Sequence, residues 1–202
     1  MVKKTEDKLV EKQALELVSI NAELVGLSDL MVNRMSDKTK QGLKDKMEGK
    51  SKSKENRNFE DEAQEKIHYV LIKGKKVPAI PTYAVKSALV EVAPYMKDLD
   101  MKKVKRTIIV ESVDGNDLIP FRYKKMELDE RFARPRFGAA PMPVIRPRFK
   151  DWSCEVKITF NKALITPETI INLLNLAGFH NGLGSFSPRS NGNFGRFAVK
   201  VK

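Results

Sequence analysis

Two arginines and four phenylalanines stand among five glycines in Gly178 to Phe197, which reads Gly-Phe-His-Asn-Gly-Leu-Gly-Ser-Phe-Ser-Pro-Arg-Ser-Asn-Gly-Asn-Phe-Gly-Arg-Phe. These are the parts of a surface for a polyanion that carries aromatic bases. The guanidinium groups of Arg189 and Arg196 can meet phosphate oxygens through paired hydrogen bonds. Phe186 and Phe194 offer faces on which a nucleobase stacks. Gly182 and Gly184 admit a second backbone at close range, and their N–H groups can receive an anion. The same glycines suit a tight connection between a helix and a strand, so a packing reading stands beside the binding one. Phe179 and Phe197 are expected in the core.

A second constellation is the tetrapeptide Arg-Pro-Arg-Phe, present at Arg134 to Phe137 and again at Arg146 to Phe149. In a thumb-like loop, Arg134, Arg136, Arg146 and Arg148 would clamp phosphates while Phe137 or Phe149 wedges against a base. Otherwise the loop is exposed and its aromatics staple it to the domain. A third is the lysine-rich run from Ser36 to Lys66, with Lys50, Lys52 and Lys54 ahead of Glu60, Asp61 and Glu62. So polar a segment cannot form its own core and is expected to be mobile or weakly helical alone. It is either a solvated insertion or a basic finger that orders on phosphate. Lys75 lies in a basic turn, Lys73-Gly74-Lys75-Lys76, that can also touch phosphate.

The whole chain supports a polyanionic partner. Its 202 residues have a net charge of +12, which favours nucleic acid first and an acidic protein or membrane surface second. One cysteine, Cys154, rules out an internal disulfide framework, and with two histidines no Cys/His metal site can be assembled; no cofactor is expected. The N-terminus lacks an apolar run, and no window approaches the roughly 18 apolar residues of a membrane span. A soluble cytoplasmic protein of one domain is expected. His68 and His180 are candidates for acid–base work, but neither has a partner at recognisable spacing.

The elements that must position these residues follow from periodicity. Val18, Ile20, Ala22 and Leu24 alternate as in a half-buried strand, and Cys154, Val156, Ile158 and Phe160 do so more cleanly. Ile67–Ile72 and Val77–Ile80 suggest a hairpin. Thr107–Val110 and Leu118–Tyr123 suggest another across Asp114-Gly-Asn-Asp117. Pro81 and Thr82 open a helix with Val85, Leu89 and Val92 on one face. Thr166 and Pro167 open a second helix, with Ile170, Leu173, Leu174 and Ala177 buried. Prolines 135, 141, 143 and 147 make residues 131–150 an extended Arg/Pro/Phe-rich loop. Trp152, at a strand start, is a core anchor or a stacking platform. Phe197, Val199 and Val201 form a last strand. Without its insertions this is βαββαβ: an α+β, ferredoxin-like or RRM-like antiparallel sheet with both helices on one face.

That order, with Gly178-Phe-His-Asn-Gly-Leu-Gly-Ser-Phe-Ser-Pro-Arg and Asn191-Gly-Asn-Phe-Gly-Arg-Phe, resembles the RAMP superfamily of CRISPR RNA-binding proteins, and within it the Cas7-like backbone subunits. Ile80-Pro-Thr-Tyr-Ala-Val-Lys-Ser-Ala-Leu89 is similar to the Ile-Pro-x-x-x-x-Lys-Gly-x-Leu opening of the first RAMP helix, with Ser87 in place of the usual glycine. From about Leu15 onward the chain is also similar to small Cas7-like proteins of bacteriophage genomes. The resemblance implies binding of a single strand across the sheet face, RNA ahead of DNA, head-to-tail self-assembly along it, and a host-cytoplasm location if the chain is phage-encoded. Two alternatives stay open. Some RAMP proteins are metal-independent RNA endonucleases, and a Cas7 look-alike can instead occupy a protein partner of a nucleoprotein complex.

Overall fold

A computed structural model describes residues 15–50, 58–133 and 140–201. Along the chain come β1 (Leu17–Gly26), β2 (Leu30–Met31), α1 (Asp37–Met47), α2 (Phe59–Glu65), β3 (His68–Ile72), β4 (Lys75–Pro81), α3 (Thr82–Val92), a 3-10 turn (Ala93–Tyr95), α4 (Met101–Thr107) and β5 (Ile108–Ser112). After them come β6 (Leu118–Arg122), β7 (Lys125–Ala133), β8 (Met142–Lys150), β9 (Ser153–Asn161), α5 (Pro167–Leu176), a π-helical turn (Ala177–Asn181) and β10 (Phe197–Val201). Lys52, Lys54, Arg134, Arg136 and Phe137 lie outside the described residues.

The period-2 strands occupy the centre. β1 runs antiparallel to β9 on one side and to β10 on the other, and β9 runs antiparallel to β5. Without the insertions, β1, α3, β5, β9, α5 and β10 form βαββαβ, and the sheet order β10-β1-β9-β5 interleaves the two βαβ units. The α+β, ferredoxin-like antiparallel fold expected from the sequence is the fold observed. Register decides which face is apolar: Ala22 opposes Val156, Leu24 opposes Cys154, and Ile108 opposes Phe160. Val85, Leu89 and Val92 of α3 and Ile170, Leu173 and Leu174 of α5 close over that face. Each such side chain contributes about 1.5–3 kcal/mol by its burial. α5 starts where the sequence signals it: Thr166 Oγ1 accepts from the Thr169 N–H at 3.2 Å, and Pro167 fills the first turn. Trp152 is the core anchor, 1% exposed, with its Nε1–H donated to Ser28 O at 2.8 Å.

Cys154 is buried in this layer, and burial, helped by Glu23 and Glu155, pushes its thiol up to about 12. Only the thiolate is nucleophilic. Native protein should therefore resist an alkylating reagent at neutral pH and be modified fully in denaturant. Rapid native labelling, read by mass spectrometry, would show that this strand opens.

Two insertions enlarge the core fold. The hairpin β3–β4 turns through Lys73 and Gly74, both at positive φ, and β4 joins the sheet through β6. β5 and β6 were expected to pair with each other. Instead each pairs with β9, β5 along residues 156–160 and β6 at 153–154, because β9 is long enough to seat both. Within the charged segment 36–66, α1 is capped by Ser36 and α2 by Asn58. α1 buries Gly42 alone, whereas Ala63 and Ile67 anchor α2's end of the segment, and Lys66 Nζ donates to Ile145 O at 2.7 Å.

His68 on β3 faces this insertion. Burial, then the cations Arg34 and Lys40, push its pKa below the ordinary 6.5. The unfolded chain therefore takes up a proton that the folded chain refuses. Stability is full above pH 6.5 and declines as pH falls through 6.5 toward the lower folded value. The variant His68→Gln should flatten the fall in Tm between neutral pH and mildly acidic pH; an unchanged slope would exclude His68 as its source.

Of residues 131–150, expected as an extended loop, the described parts 131–133 and 142–150 instead belong to a two-stranded arm in which β7 and β8 pair from Lys125↔Lys150 to Ala133↔Met142. The prolines do not prevent this. Pro147 O accepts from Val32 N, so that residue's hydrogen-bonding side faces away from β7; Pro143, four positions earlier, has the same parity. Neither missing N–H was needed for the β7 ladder. β2 pairs with the base of β8, completing a three-stranded sheet. Among the described residues no helix is long and apolar enough to cross a membrane.

Candidate nucleic-acid interface

Strand alternation gives the arm two unlike faces. Met126, Leu128, Ile145, Pro147 and Phe149 share one, which enters the core at Phe149. Lys125, Glu127, Asp129, Arg131, Arg146, Arg148 and Lys150 share the other. On the charged face Arg148 is tied down: its guanidinium lies 2.6 Å from Glu127, 3.5 Å from Asp29 and 3.7 Å from Asp129. Glu127 in turn accepts from Lys125, Arg148 and Lys150, which hold its carboxyl at about 2. Arg148 therefore joins the arm to the segment after β1.

The glycine-rich stretch folds back on that same segment. Ser185 N donates to Met31 O at 2.7 Å and Gly195 N to Asp29 O at 2.8 Å. The glycines make this approach possible. A Cβ at Gly184 would lie 2.2 Å from Met31 O, and one at Gly192 would lie 1.7 Å from Phe186 O. Gly182 is buried, has φ +62, and donates its N–H to Ala177 O. The close backbone approaches at these positions are therefore made by the protein's own chain. Their product is the placement of two rings: Phe186, itself at φ +53, and Phe194, whose N–H donates to Phe186 O at 3.1 Å. A left-handed phenylalanine costs about 1–3 kcal/mol and persists only where its surroundings hold it.

Arm and loop meet at those rings. The Arg146 guanidinium stacks 4.1 Å from the Phe186 centroid, and Arg131 lies 5.0 Å from both Phe186 and Phe194. Arg131 also pairs with Asp129 at 2.5 Å. Burial, followed by the charge of Arg131, pushes the Arg146 pKa down, against a smaller opposing pull from Asp129. The Nε–H groups of Arg146 and of the neighbouring Arg148 are both buried without a hydrogen-bond partner. Two like charges and an unmet donor on one aromatic pair make a place suited to an anion that also offers a stacking face. Arg131 was absent from the residues singled out in the sequence. Its signal was the alternation of charged and apolar residues from Lys125 to Phe132, hidden by treating the following prolines as the end of regular structure.

The other sequence candidates are dispersed. Arg189 pairs with Glu91 of α3 at 2.7 Å, and Glu91 also accepts from Asn181. Arg196 donates to Phe179 O and lies 4.7 Å over the Phe179 ring. Lys50 pairs with Glu48 at 2.7 Å after α1. Lys75 sits on the hairpin at the end of the sheet remote from β10. Phe197 is in the core, but Phe179, also expected there, is 59% exposed because the π-helical turn rotates it outward. The open face of the four central strands carries Glu23, Glu111 and Glu155 against Lys157 and Lys200, with no aromatic ring among its described residues. Glu23 stands directly opposite Glu155. That face lacks the stacking residues which a strand crossing the sheet would use.

No protein-family model and no curated protein matches the sequence. Solved structures similar to the chain include one from a type III-B Cmr-beta complex bound to cognate target RNA, at 12% identity and a TM-score of 0.49, covering 94% of this chain and 61% of that one. Cmr6 from Pyrococcus furiosus is similar at 11% identity and a TM-score of 0.45, covering 93% of this chain and all of its own. A chain of a CRISPR RNA-guided surveillance complex is similar at 9% identity and a TM-score of 0.44, covering 91% of this chain and 68% of that one. The chain thus spans 61% of the first of these.

Proposed function

We propose that this chain is a non-catalytic protein that binds single-stranded nucleic acid, RNA in preference to DNA, and multimerises along the strand. The observation that carries this reading is the pairing of Arg131 and Arg146 over Phe186 and Phe194, with the Arg146 Nε–H buried and unmet. A phosphate oxygen accepts from the accessible N–H groups of the two guanidiniums and neutralises them, while a base stacks on the ring or guanidinium planes left open. The preference for RNA rests on the resemblance of the glycine-rich stretch to RAMP proteins. Multimerisation is supported by the arm's apolar face, where Phe132 is 74% exposed and suited to lie on a neighbouring copy.

Fluorescence anisotropy with labelled oligouridine and oligothymidine of equal length tests this. Both should bind, the RNA more tightly, with affinity falling steeply between about 50 and 200 mM salt. Absence of binding at the lower salt would overturn the reading. The exposed Phe132 equally favours the protein-partner alternative, which would be adopted if protein purified at low salt carried no nucleic acid and captured a protein instead. An endonuclease would cleave labelled RNA without added metal and lose that activity in His180→Ala or His68→Ala.

A further inference from the structure

A second group of rings lies apart from the arm. α5 does not stop at its first glycine but runs on into the π-helical turn Ala177–Asn181, whose extra residue per turn rotates Phe179 and His180 out of the helix's buried stripe. Such turns are uncommon and gather at functional sites. This one is held rigid: the buried Asn181 donates to Ala88 O at 3.2 Å and to Glu91 at 3.1 Å, locking the turn to α3. The rings then form a ladder. Tyr95, in the turn after α3, lies 5.2 Å from His180; His180 meets Phe179 edge-on at 5.3 Å; and Arg196 covers Phe179 at 4.7 Å. Despite these contacts Tyr95 stays 66% exposed and Phe179 59%. Among the described residues none of these rings stacks on Phe186 or Phe194.

Charge beside the ladder is mixed but mostly basic: Glu91, Asp98 and Asp100 lie near it, Glu91 already paired with Arg189. α4 packs against the turn that bears Tyr95 and carries Lys102, Lys103, Lys105 and Arg106, for none of which an ion pair occurs among the described residues. Asp100 caps that helix by accepting from the Lys103 N–H at 2.7 Å, so its carboxylate is already engaged. Exposed aromatics are unremarkable singly, but a preorganised set beside unpaired cations matches a strand with stacked bases and regular phosphates.

We infer that Tyr95, His180, Phe179 and Arg196 form a second stacking site for single-stranded nucleic acid at the C-terminal ends of α3 and α5, with α4 contacting the strand's phosphates. The inference rests on the nucleic-acid reading for its choice of ligand, yet it names a surface built on the two ends of the glycine-rich stretch and on Tyr95, distinct from the arm and from the Phe186 and Phe194 rings.

Photocrosslinking of full-length protein to an oligouridine containing 4-thiouridine, followed by peptide mass spectrometry, separates the two surfaces. Adducts are expected at Tyr95, His180 or Phe179 as well as at the arm and loop. Tyr95→Ala should weaken binding of this oligouridine about fivefold or more, with Tyr95→Phe restoring it. Because the Tyr95 side chain is largely exposed, Tm should be unchanged. Adducts confined to the arm and loop, with unchanged affinity for Tyr95→Ala, would overturn this inference and leave the proposed function standing. Capture of an acidic protein by this surface, with RNA affinity unaffected by Tyr95→Ala, would also overturn it. Absence of any RNA binding by the unmodified protein would remove both.

Discussion

Replacing Arg131 and Arg146 together by alanine should weaken binding of an oligouridine by a few hundredfold or more while lowering Tm by no more than a few degrees. The size follows from two charge-assisted hydrogen bonds, each worth about 1.5–3 kcal/mol when the partner is an ion. The salt dependence is the more specific readout. Each phosphate contact to a single strand adds about 0.7 to the slope of log affinity against log salt, so losing two should reduce it by about 1.4. Stability should hold because neither arginine supports the arm's base. That task falls to Arg148, whose one guanidinium bridges Glu127, Asp29 and Asp129. Arg148→Ala should therefore do the opposite, lowering Tm by leaving three carboxylates without their shared cation. If the double variant kept both affinity and salt slope, the arm and loop would not be the phosphate-binding surface.

The parts of the fold that the sequence displayed are those set by local periodicity. Val156, Ile158 and Phe160 alternate, and they line the inner face of β9; Ile170, Leu173 and Leu174 recur at helical spacing, and they lie beneath α5. The ferredoxin-like order was readable because those elements are long and their insertions are marked by charge or proline. What stayed hidden depends on direction and partner. Proline removes a donor only on one side of a strand, and periodicity cannot say which side β7 occupies, so the arm read as a loop. β5 and β6 looked like a hairpin because the turn between them is well marked, whereas their true partner, β9, is more than thirty residues further on. The site was half visible for the same reason. Phe186, Phe194 and Arg146 stood out by composition, Arg131 did not, and Phe179 was assigned to the core because a π-helical turn leaves no signature in side-chain spacing.

Gly195→Ala should be severely damaging for a single added methyl, since it strikes the fold and the site together. Gly195 has φ +71, where alanine is disfavoured by about 1 kcal/mol or more. The added Cβ would also lie 1.8 Å from Leu183 O, a backbone atom that cannot swing aside as a side-chain tip can. Relief requires the two halves of the loop to separate, which breaks the Leu183 N–H to Gly195 O hydrogen bond and pulls the Gly195 N–H from Asp29 O. Asp29 is also a partner of Arg148, so the disturbance reaches the arm as well. The sum is about 3 kcal/mol or more, and at about 2–4 °C per kcal/mol for a chain of this size Tm should fall by roughly 6–12 °C. Gly74→Ala is the matched control: its φ of +75 is nearly the same, but a Cβ there meets nothing within 4 Å. It should cost only the backbone penalty, about 1 kcal/mol, and leave nucleic-acid affinity untouched. Thermal melts of the two variants with binding curves on the same samples decide the matter, because equal losses in Tm would mean that the loop has room to relax and that its glycines serve turn geometry rather than close packing.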